Sequence, residues 1–231
     1  MNVRAGKSGK KRNKAVTGIR IITGTVIIIA GVIIAALPWI KAAYFERLQS
    51  RLIAEWYAAV SNNPNWEPEF SAVEEYNELG FGDWTEDTNA VFDVDYVFSR
   101  MEGILRIEKI NFCSAVIRGV TKRNLDIAVC ATESSPKMGQ TGNYCVAGHY
   151  SRIYGRHFNR LREVISGDII TVENGIEIYK YRVYENFSVT PADTWVMGDE
   201  EGRKLITLIT CDYNMEPMGR IIIKGELIEE E

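Results

Sequence analysis

The residues able to do chemistry in this chain are few and sit at the ends of apolar runs. The only two histidines are His149 and His157, and there are four cysteines, Cys113, Cys130, Cys145 and Cys211. His149 closes "NYCVAGH", Cys211 closes "LITLITC", and Arg220, nine residues after Cys211, opens "RIIIKGEL". A thiol becomes a nucleophile when a nearby cation or imidazole favours its thiolate. An imidazole exchanges protons near neutral pH. A guanidinium stays charged and offers several donors to an oxyanion. Taken singly, each has a plainer reading: a packed cysteine, a satisfied histidine, an arginine at a strand start. His157, in "GRHFNRL" beside Arg156 and Arg160, is expected on a solvated loop or helix start. No CxxC pair occurs, so neither a zinc nor a thioredoxin pattern is present.

The elements that must position these residues are short strands. From Gly103 onward the chain reads "GILRIEKI", "FCSAVIRG", "DIAVCAT", "GNYCVAGHY", "DIITVENGIEIYKYRVYENFSV", "KLITLITC" and "GRIIIKGELI". "FNRLREV" reads as a short helical turn, and Asn174-Gly175 predicts a type I′ hairpin. Seven or eight short strands at close spacing predict a mixed or antiparallel β-barrel or a sandwich. In a strand, residues two apart share a face, so Cys145, Ala147 and His149 point one way. If 205–211 and 220–228 are neighbouring strands joined by the turn 212–219, Arg220 returns to the end that carries Cys211.

The N-terminal part differs in kind. Residues 1–41 contain eight Lys or Arg and no acid, which leaves 19 basic against 31 acidic residues in 42–231, a net charge of −12. Between the basic cluster and the acidic bulk, Ile21–Ile40 runs twenty residues without a charge. About 20 apolar residues span a bilayer as a helix. The flanking charges predict a cytoplasmic N-terminal tail (1–20), a single-pass anchor (21–40) with Trp39 at the outer interface, and an extracellular remainder at the plasma membrane. A cleaved signal peptide is less favoured, because the run is long for one and only Ala35-Ala36-Leu37 and Ala42-Ala43 offer weak cleavage sites. Residues 41–102 are expected to form an extracytoplasmic helical linker or cap. Phe45, Leu48, Leu52, Trp56 and Val60 recur at helical spacing, the prolines at 64 and 68 break the helix, and an acidic, aromatic stretch follows from Phe70 to Phe98.

His149, Cys211 and Arg220, each at a strand end and in that order, resemble the sortases, membrane-anchored cysteine transpeptidases of Gram-positive bacteria. "TLITC" (Thr207–Cys211) is similar to the family's TLxTC strand, "VAGHY" (Val146–Tyr150) to the strand ending in its histidine, and "GRIIIKGEL" (Gly219–Leu227) to the strand opened by its arginine. The resemblance covers Gly103 to Glu229. Its wording is closer to class A or class D than to class B, whose long helical insertion before the cysteine strand is not seen. It implies a closed β-barrel of seven to eight strands with short helices, over 103–231, preceded by the transmembrane helix and helical linker. It further implies that Cys211 forms a thioacyl enzyme with a C-terminal LPxTG-like sorting signal, that His149 is acid and base, and that Arg220 holds the oxyanion. Thr210 would contact the substrate, and Val189, Pro191, Ala192, Trp195 and Val196 would line the pocket for its Leu-Pro part.

The partners so implied are the sorting-signal peptide of secreted surface proteins, an amine acceptor on a peptidoglycan precursor or a pilin lysine, and membrane lipid; no nucleic acid is expected. No cofactor and no metal are expected. The loop "ATESSPKMGQTG" offers only Glu133; Asp199, Glu200 and Glu201 in the later loop could join it, but one acid on the first side is thin for a cation that takes six or more oxygens. An extracellular cysteine hydrolase would use the same residues. A membrane-anchored β-domain without catalysis is the third reading.

Overall fold

A computed structural model describes residues 8–62, 94–151 and 156–229. The prolines at 64 and 68 and most of the acidic stretch after Phe70 fall outside the described residues, as do Arg4 and Lys7 of the basic tail. Two compact units are formed, Met1–Phe45 and Glu46–Glu231. In the first, helix α1 (Ser8–Asn62) begins, and every described isoleucine and valine from Ile22 to Ile40 is exposed. Among the described residues no helix is long and apolar enough to cross a membrane. The side chains of Ile21 and Pro38, both inside the uncharged run, are not among those residues.

In the second unit, eight strands close into a barrel of order β1-β2-β3-β4-β7-β8-β6-β5. They are β1 (Met101–Ile107), β2 (Phe112–Arg118), β3 (Val129–Ala131), β4 (Gly142–Ala147), β5 (Ile169–Glu173), β6 (Ile178–Val189), β7 (Lys204–Asp212) and β8 (Gly219–Leu227). The β2–β3 and β4–β7 pairs are parallel and the others antiparallel, so the barrel is mixed. Alternation sorts the side chains. Tyr144 and Val146 of β4, Ile206 and Leu208 of β7, and Ile221 and Ile223 of β8 belong to the main core cluster. The outer faces of β7 and β8 are also covered, since Ile209 and Ile222 pack under Val196. A strand buried on both faces reads as an unbroken apolar run, which is why "LITLIT" shows little alternation.

A second core lies outside the barrel. Leu52, Trp56 and Val60, on the final turns of α1, pack with Ile104, Ala115 and Ile117 of β1 and β2 and with Val97 of α2 (Val94–Arg100). Polar contacts register this docking. Gln49 Nε2 donates to the carbonyl of Ile127 at 2.6 Å, its Oε1 accepts from Ala115 N at 3.2 Å, and the Tyr57 hydroxyl donates to Glu173, which Arg106 also reaches.

Two local expectations are corrected. The β5–β6 hairpin exists, but its turn is not type I′. That type needs positive φ at both central residues, and here only Gly175 has it, at 85°. The loop is instead organised by Asn174, whose Oδ1 accepts from Ile176 N and Glu177 N at 3.0 and 2.8 Å. "DIAVCAT" is not a strand throughout. Asp126 and Ile127 end helix α3 (Lys122–Ile127), which Thr121 caps by accepting from Asn124 N at 3.2 Å, and the strand starts at Val129.

Candidate active site

Three strand ends meet on one outer face of the barrel. β7 and β8 are antiparallel neighbours in which Cys211 is the direct partner of Arg220 and Ile209 the partner of Ile222. β4 runs parallel to β7 with Ala147 opposite Ile209, and Gly148 N donates to Ile209 O at 3.0 Å. His149 follows two residues after Ala147, as Cys211 follows two residues after Ile209. Ile209 and Ile222 face outward, so alternation turns Cys211 and Arg220 the same way. Ala147 packs outside the main core with Leu125 and Cys130, and His149 shares its parity. Gly148 permits the approach, because a Cβ there would lie 2.6 Å from Phe158 Cδ2 and 2.9 Å from Val129 Cγ1.

The three side chains are nearly enclosed, with Cys211 2%, His149 4% and Arg220 0% exposed. Low exposure strengthens every charge interaction among them. Arg220 Nη1 donates to its neighbour Gly219 O at 2.9 Å, which holds the guanidinium at the start of β8. Asp212, next after Cys211, accepts from Ser188 Oγ at 2.6 Å and Asn214 N at 2.9 Å and pairs with Arg162, so the end of β7 is tied to β6 and to its own turn. Burial alone would raise the Asp212 carboxyl. The hydrogen bonds from Ser188 and Asn214 and the pairing with Arg162 hold it below the usual range instead.

A carboxylate not anticipated from the sequence lies beside the histidine. Asp126 Oδ1 is 3.3 Å from His149 Nε2, and both side chains are almost fully buried. The strand reading of "DIAVCAT" concealed it; the helix-capping threonine at 121 was the available signal. His157 was expected on a solvated surface. It is instead 3% exposed, with φ at 50°, and its ring meets the His149 ring edge-on at 5.7 Å. Burial, then Arg156, then His149 push the His157 pKa well below the ordinary histidine value, so this ring is neutral.

The residues expected to contact substrate are spread over two settings. Val189 is half-buried and pairs directly with Arg220 across β6 and β8. Pro191 is half-buried and Ala192 exposed, and Trp195 stacks on Phe187 with centroids 6.0 Å apart and planes 8° from parallel. Val196 is fully buried against Ile209 and Ile222, beneath that loop. Asp193 braces the loop by accepting from Thr190 N at 2.9 Å and Thr190 Oγ1 at 2.6 Å. Thr210 is fully buried, and alternation places its side chain on the opposite face of β7 from Cys211.

The acids considered for a cation have other partners. Asp199 accepts from Asn143 N at 2.7 Å, Glu200 pairs with Lys224 and Arg203, and Glu133 lies 3.9 Å from Arg100. Among the described residues no group of three or more His, Cys, Asp or Glu is gathered as a metal site. Burial raises the Cys145 thiol to about 12 and Cys130 well above its ordinary value, while Cys113 is exposed, and no disulfide joins any of the four cysteines.

A family model of the sortase domain matches residues 105–228, which include all three strand ends. The chain belongs to the sortase family. It is 27% identical to sortase A of Listeria monocytogenes over 206 residues, covering 89% of this chain and 90% of that one. It is 30% identical to sortase A of Bacillus anthracis over 146 residues, 63% of this chain and 67% of the relative. Among solved structures, a Clostridium perfringens sortase D5 transpeptidase superimposes with a TM-score of 0.52 at 27% identity, covering 57% of this chain and 81% of that one. The closed eight-stranded barrel is therefore a sortase barrel, and the enzyme is a cysteine transpeptidase.

Proposed function

We propose that this sortase is anchored in the plasma membrane by residues 21–40, with its N-terminus cytoplasmic and its barrel extracellular. There it cleaves a C-terminal LPxTG-like sorting signal and passes the acyl group to an amine of a peptidoglycan precursor or a pilin. The observation that supports the catalytic part is the β4–β7–β8 register, in which Cys211 pairs with Arg220 and β4 runs beside β7 up to Ala147, two residues before His149. The anchor rests on the twenty uncharged residues, the basic cluster preceding them and the exposed isoleucines of that stretch.

Cys211 Sγ attacks the scissile carbonyl carbon, and the carbonyl electrons move onto its oxygen, where Arg220 donates hydrogen bonds. The oxyanion collapses, the C–N bond breaks, and His149 gives its proton to the departing amine. An incoming amine then loses a proton to His149 and displaces the thiolate, leaving a new amide and the free enzyme. Val189, Pro191, Ala192 and Trp195 form the apolar wall that receives the Leu-Pro part, with Val196 beneath it as support. Thr210 acts through its main chain.

The test is cleavage of a panel of fluorogenic sorting-signal peptides by the full chain in detergent, with and without an added amine. Cleavage that Cys211→Ala abolishes, with ligated product formed faster when amine is present, is the expected result. Cleavage to free acid alone, at a rate the amine does not change, would make the enzyme a hydrolase. An untouched panel would refute the substrate assignment.

A further inference from the structure

We propose that Asp126 is a positioning residue for His149, so that the site works as a cysteine–histidine–carboxylate constellation. The inference deepens the catalytic reading above and rests on it.

The observation is the 3.3 Å approach of Asp126 Oδ1 to His149 Nε2 with both side chains nearly excluded from solvent. Isolating a carboxylate from water costs several kcal/mol unless something compensates its charge. Lys122 Nζ, half exposed, lies 3.6 Å from Oδ2, and Arg156 Nη2 donates at 3.3 Å to the Asp126 main-chain oxygen. The His149 imidazole is a buried group at the carboxylate's Oδ1. His149 Nε2 makes no aligned hydrogen bond at rest. Such contacts tighten when the ring becomes charged in the reacting complex.

The mount of Asp126 is rigid on both sides. Asn124, two residues before, donates to Gly119 O at 2.8 Å and accepts from the Tyr96 hydroxyl at 2.9 Å. Ile127, one residue after, has its carbonyl held by Gln49 of α1 at 2.6 Å. Two helices that are not part of the barrel thus fix the turn that carries the carboxylate. A group that orients another needs this kind of support. From the other side, neutral His157 meets the His149 ring edge-on without adding a charge.

The chemical consequence is specific. With Nε2 turned to Asp126, Nδ1 is the nitrogen that exchanges protons with Cys211 and the amines. Asp126 acts through the ring, stabilising the imidazolium that accompanies the thiolate and protonates the leaving amine.

The test uses the full chain in detergent with Cys113→Ser, so that the exposed thiol does not report. Asp126→Asn preserves shape and removes the charge. The Cys211 alkylation rate by iodoacetamide at neutral pH is expected to fall about tenfold, the lower end for loss of a group that orients a reactive histidine. In a His149→Gln background the same substitution is expected to cause no fall, because the carboxylate acts through the ring. Asp126→Glu recovers part of the rate. On a cleavable sorting peptide, kcat falls by a similar factor while KM stays within about twofold, as for an interaction used in the chemical step. An unchanged or faster alkylation in Asp126→Asn overturns the proposal, since a carboxylate acting directly on the thiol would hold the thiolate back. An equal fall in the His149→Gln background also overturns it. Because alkylation needs no peptide, this outcome is separate from failure of the sorting-signal assignment.

Discussion

Replacing His157 with phenylalanine is expected to remove a component of stability that the wild-type protein loses between about pH 7 and pH 5. His157 is 3% exposed, and burial, Arg156 and His149 all oppose its protonation in the folded state. In the unfolded chain the same ring takes up a proton near its ordinary pKa of about 6.5. A depressed histidine pKa therefore favours the folded state fully above that value. As pH falls through it, the unfolded chain binds a proton that the folded chain refuses, and stability is lost. At pH 5 the unfolded state gains a factor of about 30, or about 2 kcal/mol, if the folded ring stays neutral. Glu226, paired with Arg203, and Asp212, where burial is overcome by Ser188, Asn214 and Arg162, are both held below their usual range and so lie further from this window. Chemical denaturation of the full chain in detergent at a series of pH values, wild type against His157→Phe, measures the effect. The left-handed φ of 50° makes phenylalanine costly at every pH, and that constant cost cancels in the difference. The stability gap between the two proteins should shift by about 2 kcal/mol in favour of the variant from pH 7.5 to pH 5. Parallel curves would refute the reasoning, because they would mean that His157 protonates equally in both states.

Maleimide at about pH 8 should label exposed Cys113 in the folded protein and leave buried Cys130 and Cys145 unmodified; peptide mapping that found Cys145 modified without unfolding would contradict the buried β4 register. Trp56→Ala should destabilise the Glu46–Glu231 unit by about 3–5 kcal/mol, the usual range for emptying a buried tryptophan site, because Trp56 is fully enclosed between α1 and the barrel. Denaturant titration reads it, and a loss under about 1 kcal/mol would show that α1 is not needed to cover β1 and β2.

Much of the fold was legible because local pattern and tertiary role agree. The strands at 205–211 and 220–227 are apolar enough to be recognised, and the turn between them is short enough to force an antiparallel pair, which brings Arg220 to Cys211. The helical spacing of Leu52, Trp56 and Val60 is a real buried stripe. Where the reading failed, long-range context had overruled a local signal. Asp126 and Ile127 sit before a β-branched and apolar stretch and look like its first residues, yet Thr121 caps a helix through them and Gln49, 77 positions from Asp126 in sequence, holds the end of that helix at Ile127. His157 has two arginines for near neighbours in sequence, and only the return of residues 157–158 against Tyr150 and His149 encloses it.

By itself the sequence determined the order in which strand ends present a thiol, an imidazole and a guanidinium, because each terminates or opens an apolar run. The choice of a closed barrel over a sandwich belonged to the tertiary structure, since β5 returning to pair with β1 is a contact between residues far apart that no local pattern encodes. So did the face. Parallel pairing of β4 with β7 fixes a register, and a shift of one residue would turn Ala147 to the other face of the sheet. The carboxylate beside His149 arises from neither strand. It exists because helices docked on the outside of the barrel hold α3 where its last turn meets the histidine.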